Sequence, residues 1–342
     1  AMKNGTAGNG IKAKIFLWAL HVGKKCREIK ESGKSLNFLD KLIYRIAEKL
    51  VFSKIKEKTG GRLKFMISGG AALPKNIGEF FGNLGIKILE GFGLTETSPV
   101  ISVTEFDRQV YGTVGRVLPG VEIGIQNVDT QKMITIQTHD NFYQDFECQE
   151  GEVLVRGICV MKGYWGKPEE TSQVIDADGW FHTGDIGRFY KGNLQITDRI
   201  KNMLVNAYGK NIYPTPVENT YLKSPKIEQL FLIGDKREYV SAIIVPSKED
   251  LQEAFGLNDD FFQQSKVFIE DKEIVEWLSS DVRKLSSELA KFERIKHFIV
   301  KRNPFTIEDG EVTPTLKAKR KVIEKKYAEA IDEMYEDEIH AS

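Results

Sequence analysis

The segment between residues 62 and 97 constrains the fold more than any other. Leu63-Lys64-Phe65-Met66-Ile67 reads as a buried strand that ends in Ser68-Gly69-Gly70-Ala71-Ala72. Pro74 suits the first turn of a helix. Ile77, Phe80, Phe81 and Leu84 give that helix an apolar side, and Gly85 ends it. A second strand, Ile86 to Leu89, runs into Gly91-Phe92-Gly93-Leu94-Thr95-Glu96-Thr97. A strand–helix–strand unit of this length is a parallel crossover. Both glycine-bearing loops then lie on one edge of a sheet, where open α/β sheets bind their ligands.

The flanking sequence changes style on either side. Residues 11–58 read as helices, with Leu39, Leu42, Ile43, Ile46 and Leu50 at three- and four-residue steps on one face, broken at Gly60-Gly61. Between residues 100 and 200, short strands separated by glycine and proline turns (Val114 to Ile125, Gly151 to Arg156, Gly179 to Gly187, Asn193 to Ile200) predict a small antiparallel barrel or sheet. After Lys201 the pattern is mixed. Strands at Gln229–Ile233 and Ser241–Val245 alternate with helices, one of them through Ile274, Leu278, Val282, Leu285 and Leu289, and a last basic helix is expected from Lys317. A chain of 342 residues is long enough for about two domains. We place the boundary at Asp198–Arg199, giving domains 1–198 and 199–342.

Lys plus Arg equals Asp plus Glu at 49 each, so nothing global draws the chain to nucleic acid or to an anionic membrane, and any anionic ligand must be held locally. Three scattered cysteines in no metal-binding spacing read as reduced thiols. With an apolar run at Ile15 to Leu20 too short to span a bilayer and no cleavage site after it, the expected location is cytoplasmic. The opening Ala1-Met2 reads as a tag remnant before a start methionine. The stretch ESGKS at 31–35 is not a phosphate loop, because Glu28 stands where its first glycine belongs.

Four segments can carry chemistry. The two glycine loops expose backbone N–H groups to phosphate. In the second, Phe92 offers a flat face to a purine, Thr95 a hydroxyl to a phosphate oxygen, and Glu96 a hard oxygen to Mg²⁺. Asp185, at the end of Trp180-Phe181-His182-Thr183-Gly184-Asp185, can accept both hydroxyls of a ribose. Arg199, in Asp198-Arg199-Ile200-Lys201, presents a fixed fork of donors to the same ribose. Lys317, in Thr313-Pro314-Thr315-Leu316-Lys317-Ala318-Lys319-Arg320, can meet a developing anion. His182 has no partner at metal or triad spacing and reads as structural. Taken singly, the four segments are equally readable as crossover turns, an aspartate-capped turn, a surface charge cluster and a solvated helix start.

Their order decides. SGGAALP (68–74), GFGLTET (91–97), GEVLVRG with MKGYWGKPEET (151–171), DGWFHTGDIG (178–187), TDRIKNM (197–203) and TPTLKAKR (313–320) together resemble the signatures of the adenylate-forming superfamily, which includes acyl-CoA synthetases, luciferases and nonribosomal peptide adenylation domains. The resemblance runs from about residue 60 to about 326. Leu316 before the lysine, where many relatives carry Gly, is similar to the long-chain fatty acyl-CoA ligases, as is the helical stretch 11–58. The implied fold is α/β and multi-domain: the C-terminal part of a large adenylate-forming domain (parallel sheet unit plus small β-barrel), then a mobile α+β lid.

The resemblance also implies roles. Gly69, Gly70 and Ala71 with Gly91, Phe92 and Gly93 would line the adenine pocket. Thr95 would contact the α-phosphate, and Glu96 would help hold Mg²⁺. Asp185 and Arg199 would grip the ribose, and Asp198 would be a hinge. Lys317 would serve adenylation, and Gly209 would approach the acyl site when coenzyme A attacks. The implied substrates are ATP, a fatty acid and CoA, with a fatty acid bringing the protein to membranes or carriers. A ligase for an aryl or medium-chain acid and a noncatalytic half-protein that acts as a binding module are the competing readings. The family's phosphate loop, Ser/Thr/Gly-rich and ending in lysine, is found nowhere in these residues. An N-terminally truncated chain that binds ATP poorly and turns over slowly or not at all is therefore expected.

Overall fold

A computed structural model describes residues 11–71, 73–141, 143–313 and 317–336; Ala72 of the first glycine loop and Pro314 to Leu316 of the basic motif lie outside them. The chain divides into two compact units, Ala1–Ile196 and Thr197–Ser342, two residues before the expected boundary and within one strand, Asn193–Arg199.

In the first unit the crossover forms as its sequence dictates. Strands β1 (Phe65–Ser68) and β2 (Lys87–Gly93) pair in parallel, Phe65 with Lys87 through Ser68 with Glu90, and the helix Lys75–Asn83 connects them. Two further strands, β3 (Val100–Val103) and β4 (Arg116–Val117), extend this sheet antiparallel on the far side of β2. The segment read as one strand from Val114 to Ile125 is therefore two, split by the Pro119-Gly120 turn. Strand β5 (Val121–Gln126) belongs to a second sheet with β6 (Met133–Gln137), β7 (Gly151–Gly157), β8 (Phe181–Tyr190) and β9 (Asn193–Arg199), in the order β6-β5-β7-β8-β9. Its described strands form an open sheet rather than a barrel. Ile101 and Val117 from the first sheet complete the apolar core over Ile123, Ile125, Val153 and Val155, so that one core joins the two.

The helical stretch 11–58 is also present, as Ile11–Glu31 and a continuous run from Phe38 to Lys58. Its apolar stripe does share a face, but an outward one: Leu39, Leu42, Ile43, Ile46 and Leu50 are 38–64% exposed. The face that packs carries Tyr44, Ala47 and Val51, which with Phe52 enter the core beside Ala19, Cys26, Leu84 and Ile86, and a π-helical turn spans Glu48–Phe52. The helix is apolar on two sides, and periodicity alone does not say which one packs inward.

The second unit opens with a hairpin, β10 (Leu204–Val205) and β11 (Asn211–Ile212). Its main sheet has the order β12 (Ile227–Ile233), β13 (Val240–Pro246), β15 (Ile295–Lys301), β14 (Phe268–Ile269), with only β13 and β15 parallel. Strand alternation sorts side chains to two faces. Leu230, Leu232, Ala242 and Ile244 pack under the helices Pro214–Tyr221 and Lys272–Ser286. Phe231, Ile233, Ile243 and Val245 pack under Ile323, Tyr327, Ile331 and Met334 of the C-terminal helices. The last basic helix begins at Arg320 rather than Lys317, because Lys317 and Ala318 are instead paired antiparallel with Thr313 and Val312.

Candidate active site

The two glycine loops meet in the first unit. A Cβ built on Gly69 would lie 3.5 Å from the Gly91 carbonyl, which makes the loops immediate neighbours, and Gly69, Gly70 and Ala71 are exposed. The second loop is shaped by a residue the sequence reading passed over. The Thr97 side chain, fully buried, accepts the Leu94 N–H at 2.9 Å and donates to the Pro99 carbonyl at 2.8 Å. The chain folds back so tightly that a Cβ on Gly93 would fall 1.6 Å from the Pro99 oxygen. Gly93 is therefore required by packing. Gly91 is not: its Cβ would meet nothing closer than 3.6 Å. Phe92 is half-buried and rests against the core of the second sheet. Thr95, on a short 3₁₀ turn, is exposed.

Glu96 is held at two points by the loop that follows β7. Its carbonyl accepts the Met161 N–H at 2.8 Å, and its Oε1 accepts the Tyr164 hydroxyl at 3.0 Å. Burial and the facing Glu96 both push the Tyr164 phenol up from its ordinary value. No group of three or more His, Cys, Asp or Glu that could cage an ion occurs among the described residues. One half-buried carboxylate fits Mg²⁺, which is commonly held by one or two carboxylates together with substrate phosphates and water.

Beneath these loops Glu90 is buried in β2, and desolvation pushes its carboxyl up to about 7, opposed only by a hydrogen bond from the Leu73 backbone. Glu90 thus ties the floor of one loop to the other. Asp185 is buried on β8. His182 sits between carboxylates, Nδ1 3.0 Å from Glu152 and Nε2 3.8 Å from Asp176, in keeping with a structural role.

The other expected residues belong to the second unit. Asp198 is buried: Oδ1 accepts from the Arg199 N–H at 2.7 Å and Asn202 at 3.2 Å, and Oδ2 takes the Thr215 N–H at 2.8 Å, at the start of the helix Pro214–Tyr221. It is a structural anchor for that helix and not part of a surface charge cluster. Gly209 has a φ of +74° at the tip of the β10–β11 hairpin, where the Asn206 side chain organises the turn by accepting from Tyr208 and Lys210. Lys317 is exposed. Its N–H donates to the Thr313 hydroxyl at 3.0 Å, and its carbonyl accepts from the Thr313 N–H at 2.9 Å.

Next to the Val312–Ala318 bridge stands Glu311, which is fully buried and whose carbonyl accepts the Lys319 N–H at 2.8 Å. Its carboxylate gathers Lys326 at 2.9 Å, the Thr306 N–H at 3.2 Å and the Tyr327 hydroxyl, with buried Lys301 3.9 Å away. Desolvation pulls the Lys301 ammonium down. The three cysteines are free thiols, each pushed up by burial, and no helix among the described residues is long and apolar enough to cross a membrane.

Comparison with known proteins assigns a family to both parts of the chain. Residues 34–165 match the AMP-binding enzyme family, and residues 201–339 match the AMP-binding enzyme C-terminal domain. Fatty acyl-CoA synthetase A of Dictyostelium discoideum is 35% identical over 297 residues, 85% of this chain and 43% of its own length. The long-chain-fatty-acid–CoA ligase FadD15 of Mycobacterium bovis is 30% identical over 334 residues, 97% of this chain and 52% of its own. The ATP-bound crystal structure of MatB from Rhodopseudomonas palustris superposes with a TM-score of 0.60 at 26% identity, covering 80% of this chain and 47% of MatB. The chain belongs to the adenylate-forming, AMP-binding enzyme superfamily and is of the fatty-acid–CoA ligase type. It spans about half the length of the curated relatives it matches.

Proposed function

We propose that the protein to which this chain belongs activates a long-chain fatty acid with ATP, releasing pyrophosphate, and transfers the acyl group from the adenylate to the thiol of coenzyme A. The observation that carries this reading is the match of residues 34–165 to the AMP-binding enzyme family and of residues 201–339 to the AMP-binding enzyme C-terminal domain, in that order. Glu96, Asp185, Arg199 and Lys317 stand in the segments whose sequence resembles the superfamily's motifs.

The chemistry assigns each a task. A carboxylate is a poor electrophile, so it is first joined to AMP, and negative charge grows on the oxygens around the α-phosphorus as pyrophosphate leaves. Lys317 bridges carboxylate and phosphate oxygens in that step, and Thr95 donates to the α-phosphate. Glu96 would hold Mg²⁺, which when bound neutralises phosphate charge. The glycine loops at 69–71 and 91–93 take the adenine, while Asp185 and Arg199 take the ribose. In the second step the thiol displaces AMP and the lysine must leave. Asp198 serves as the pivot, and the Gly209 loop replaces the Lys317 hairpin at the acyl site. A fatty substrate places this work in the cytoplasm, in peripheral contact with membranes.

Calorimetric titration with a nonhydrolysable acyl-adenylate analogue, of the chain and of its Asp185→Ala variant, tests the nucleotide half. Loss of two charge-assisted hydrogen bonds should weaken binding on the order of 10-fold or more. Equal affinity in both proteins would refute the ribose assignment.

A further inference from the structure

Glu152 has no place in the chemistry above, yet it lies buried on β7 directly beneath Asp185's stretch of β8. The β7–β8 ladder pairs Leu154 with His182 and Glu152 with Ile186. A single residue of β7, Val153, therefore faces three of β8: Thr183, Gly184 and Asp185. The surplus residues bulge out of the ladder, and Gly184 takes a φ of +68°, a left-handed conformation that favours glycine. Bulging also strips backbone N–H groups of their ladder partners, and in a buried strand each needs another acceptor.

Two side chains supply them. Glu152 Oε1 accepts the Gly184 N–H at 3.2 Å. The Thr183 side chain accepts the Asp185 N–H at 3.0 Å and donates to the Val153 carbonyl at 2.7 Å. The second Glu152 oxygen holds His182 Nδ1 at 3.0 Å, so that nitrogen carries the ring proton, because a carboxylate only accepts. One carboxylate thus grips the bulge at its entrance, through the imidazole, and at its apex, through the backbone.

We propose that Glu152 is a positioning residue: it holds the β8 bulge in the one shape that presents the Asp185 carboxylate to both hydroxyls of a ribose, and so makes the site selective for ribonucleotides. The proposal rests on the ribose reading of Asp185. It separates Glu152 from an ordinary core hydrogen bond, whose loss would soften the sheet without regard to which sugar is bound.

Two measurements on Glu152→Ala and Glu152→Gln test it. The first needs no ligand. Amide hydrogen exchange at Gly184 and Asp185 should speed up on the order of tenfold or more in Glu152→Ala, while the β5–β7 ladder stays protected. Glu152→Gln keeps an acceptor for Gly184 and should restore much of the protection. Unchanged exchange at the bulge in Glu152→Ala would overturn the proposal whatever the ligand does. The second compares AMP with 2′,3′-dideoxy-AMP by calorimetry. The wild-type chain should prefer AMP, and Glu152→Ala should lose that preference with its dideoxy affinity unchanged. Equal weakening for both nucleotides would make Glu152 a general structural residue and defeat the proposal. A wild-type chain with no preference would instead defeat the ribose reading of Asp185, and the selectivity clause with it.

Discussion

The two units hold their candidate site residues by opposite means. In the first, recognition is a property of backbone shape: neighbouring glycine loops, a turn pinned by the Thr97 hydroxyl, and a strand bulge satisfied by Glu152 and Thr183. In the second, the element proposed to react is one exposed side chain, Lys317, paired with Thr313 beside a cluster of charge around buried Glu311. A nucleotide that stays in place through adenylation calls for preorganised shape. A cation needed in one step and harmful in the next calls for a rigid mount carrying an exposed charge.

The comparison breaks most readily at the mount. Glu311→Gln takes from buried Lys301 the buried carboxylate beside it, leaving only the more distant influence of Asp309, and should cost about 3–5 kcal/mol of second-unit stability, read from denaturant unfolding. A loss near zero would mean the cluster is not what braces the hairpin. Lys317→Ala should leave that stability untouched and, wherever adenylation can be measured, slow it by about 10²–10³. Thioester formation from supplied acyl-AMP should be spared. Slowing of both half-reactions alike would end the assignment of Lys317 to the first step.

The same contrast sets what could be read from sequence. Lys317, Glu96, Asp185 and the glycine loops could be proposed from sequence because the chemistry proposed for them requires particular residue types at fixed spacing. The crossover was legible for the same reason, since a strand ending in glycine and a proline-led helix leave few alternatives. Glu152, Thr97 and Glu311 were not legible. Each is chosen by a backbone group or charge that only the fold brings near it, as with the Gly184 N–H across the ladder from Glu152. The helical stripe at Leu39 to Leu50 misled differently: its period was right, but the helix packs through a second face that carries Asp40, Tyr44, Ala47 and Val51.

A smaller effect sharpens the shape side of the comparison. Glu90 is held near 7 in the folded first unit against an ordinary 4.5, so the folded state favours its protonated form. Below about pH 4.5 the folded and unfolded states are both protonated and burial of Glu90 costs nothing. The cost grows as pH rises through the window from 4.5 to 7 and is complete above it, reaching about 3 kcal/mol. Glu90→Gln should therefore match wild type at pH 4 and exceed it at pH 8 in thermal midpoint. Parallel profiles for the two proteins would mean Glu90 titrates normally.

The smallest expected change in stability belongs to Gly91→Ala, and it separates packing from ligand approach within one motif. A methyl there meets only ordinary contacts, the Ser102 carbonyl at 3.6 Å and Val100 at 3.8 Å, so stability should move by less than about 1 kcal/mol. Gly93→Ala, two residues on, must displace the Pro99 carbonyl and should unsettle the whole turn. If the first unit recognises adenine by close backbone approach, Gly91→Ala will weaken binding of the acyl-adenylate analogue while its melting temperature stays put. If binding is also unchanged, Gly91 faces no ligand, and the adenine pocket must be drawn without it, from the 69–71 loop with Phe92 and Gly93.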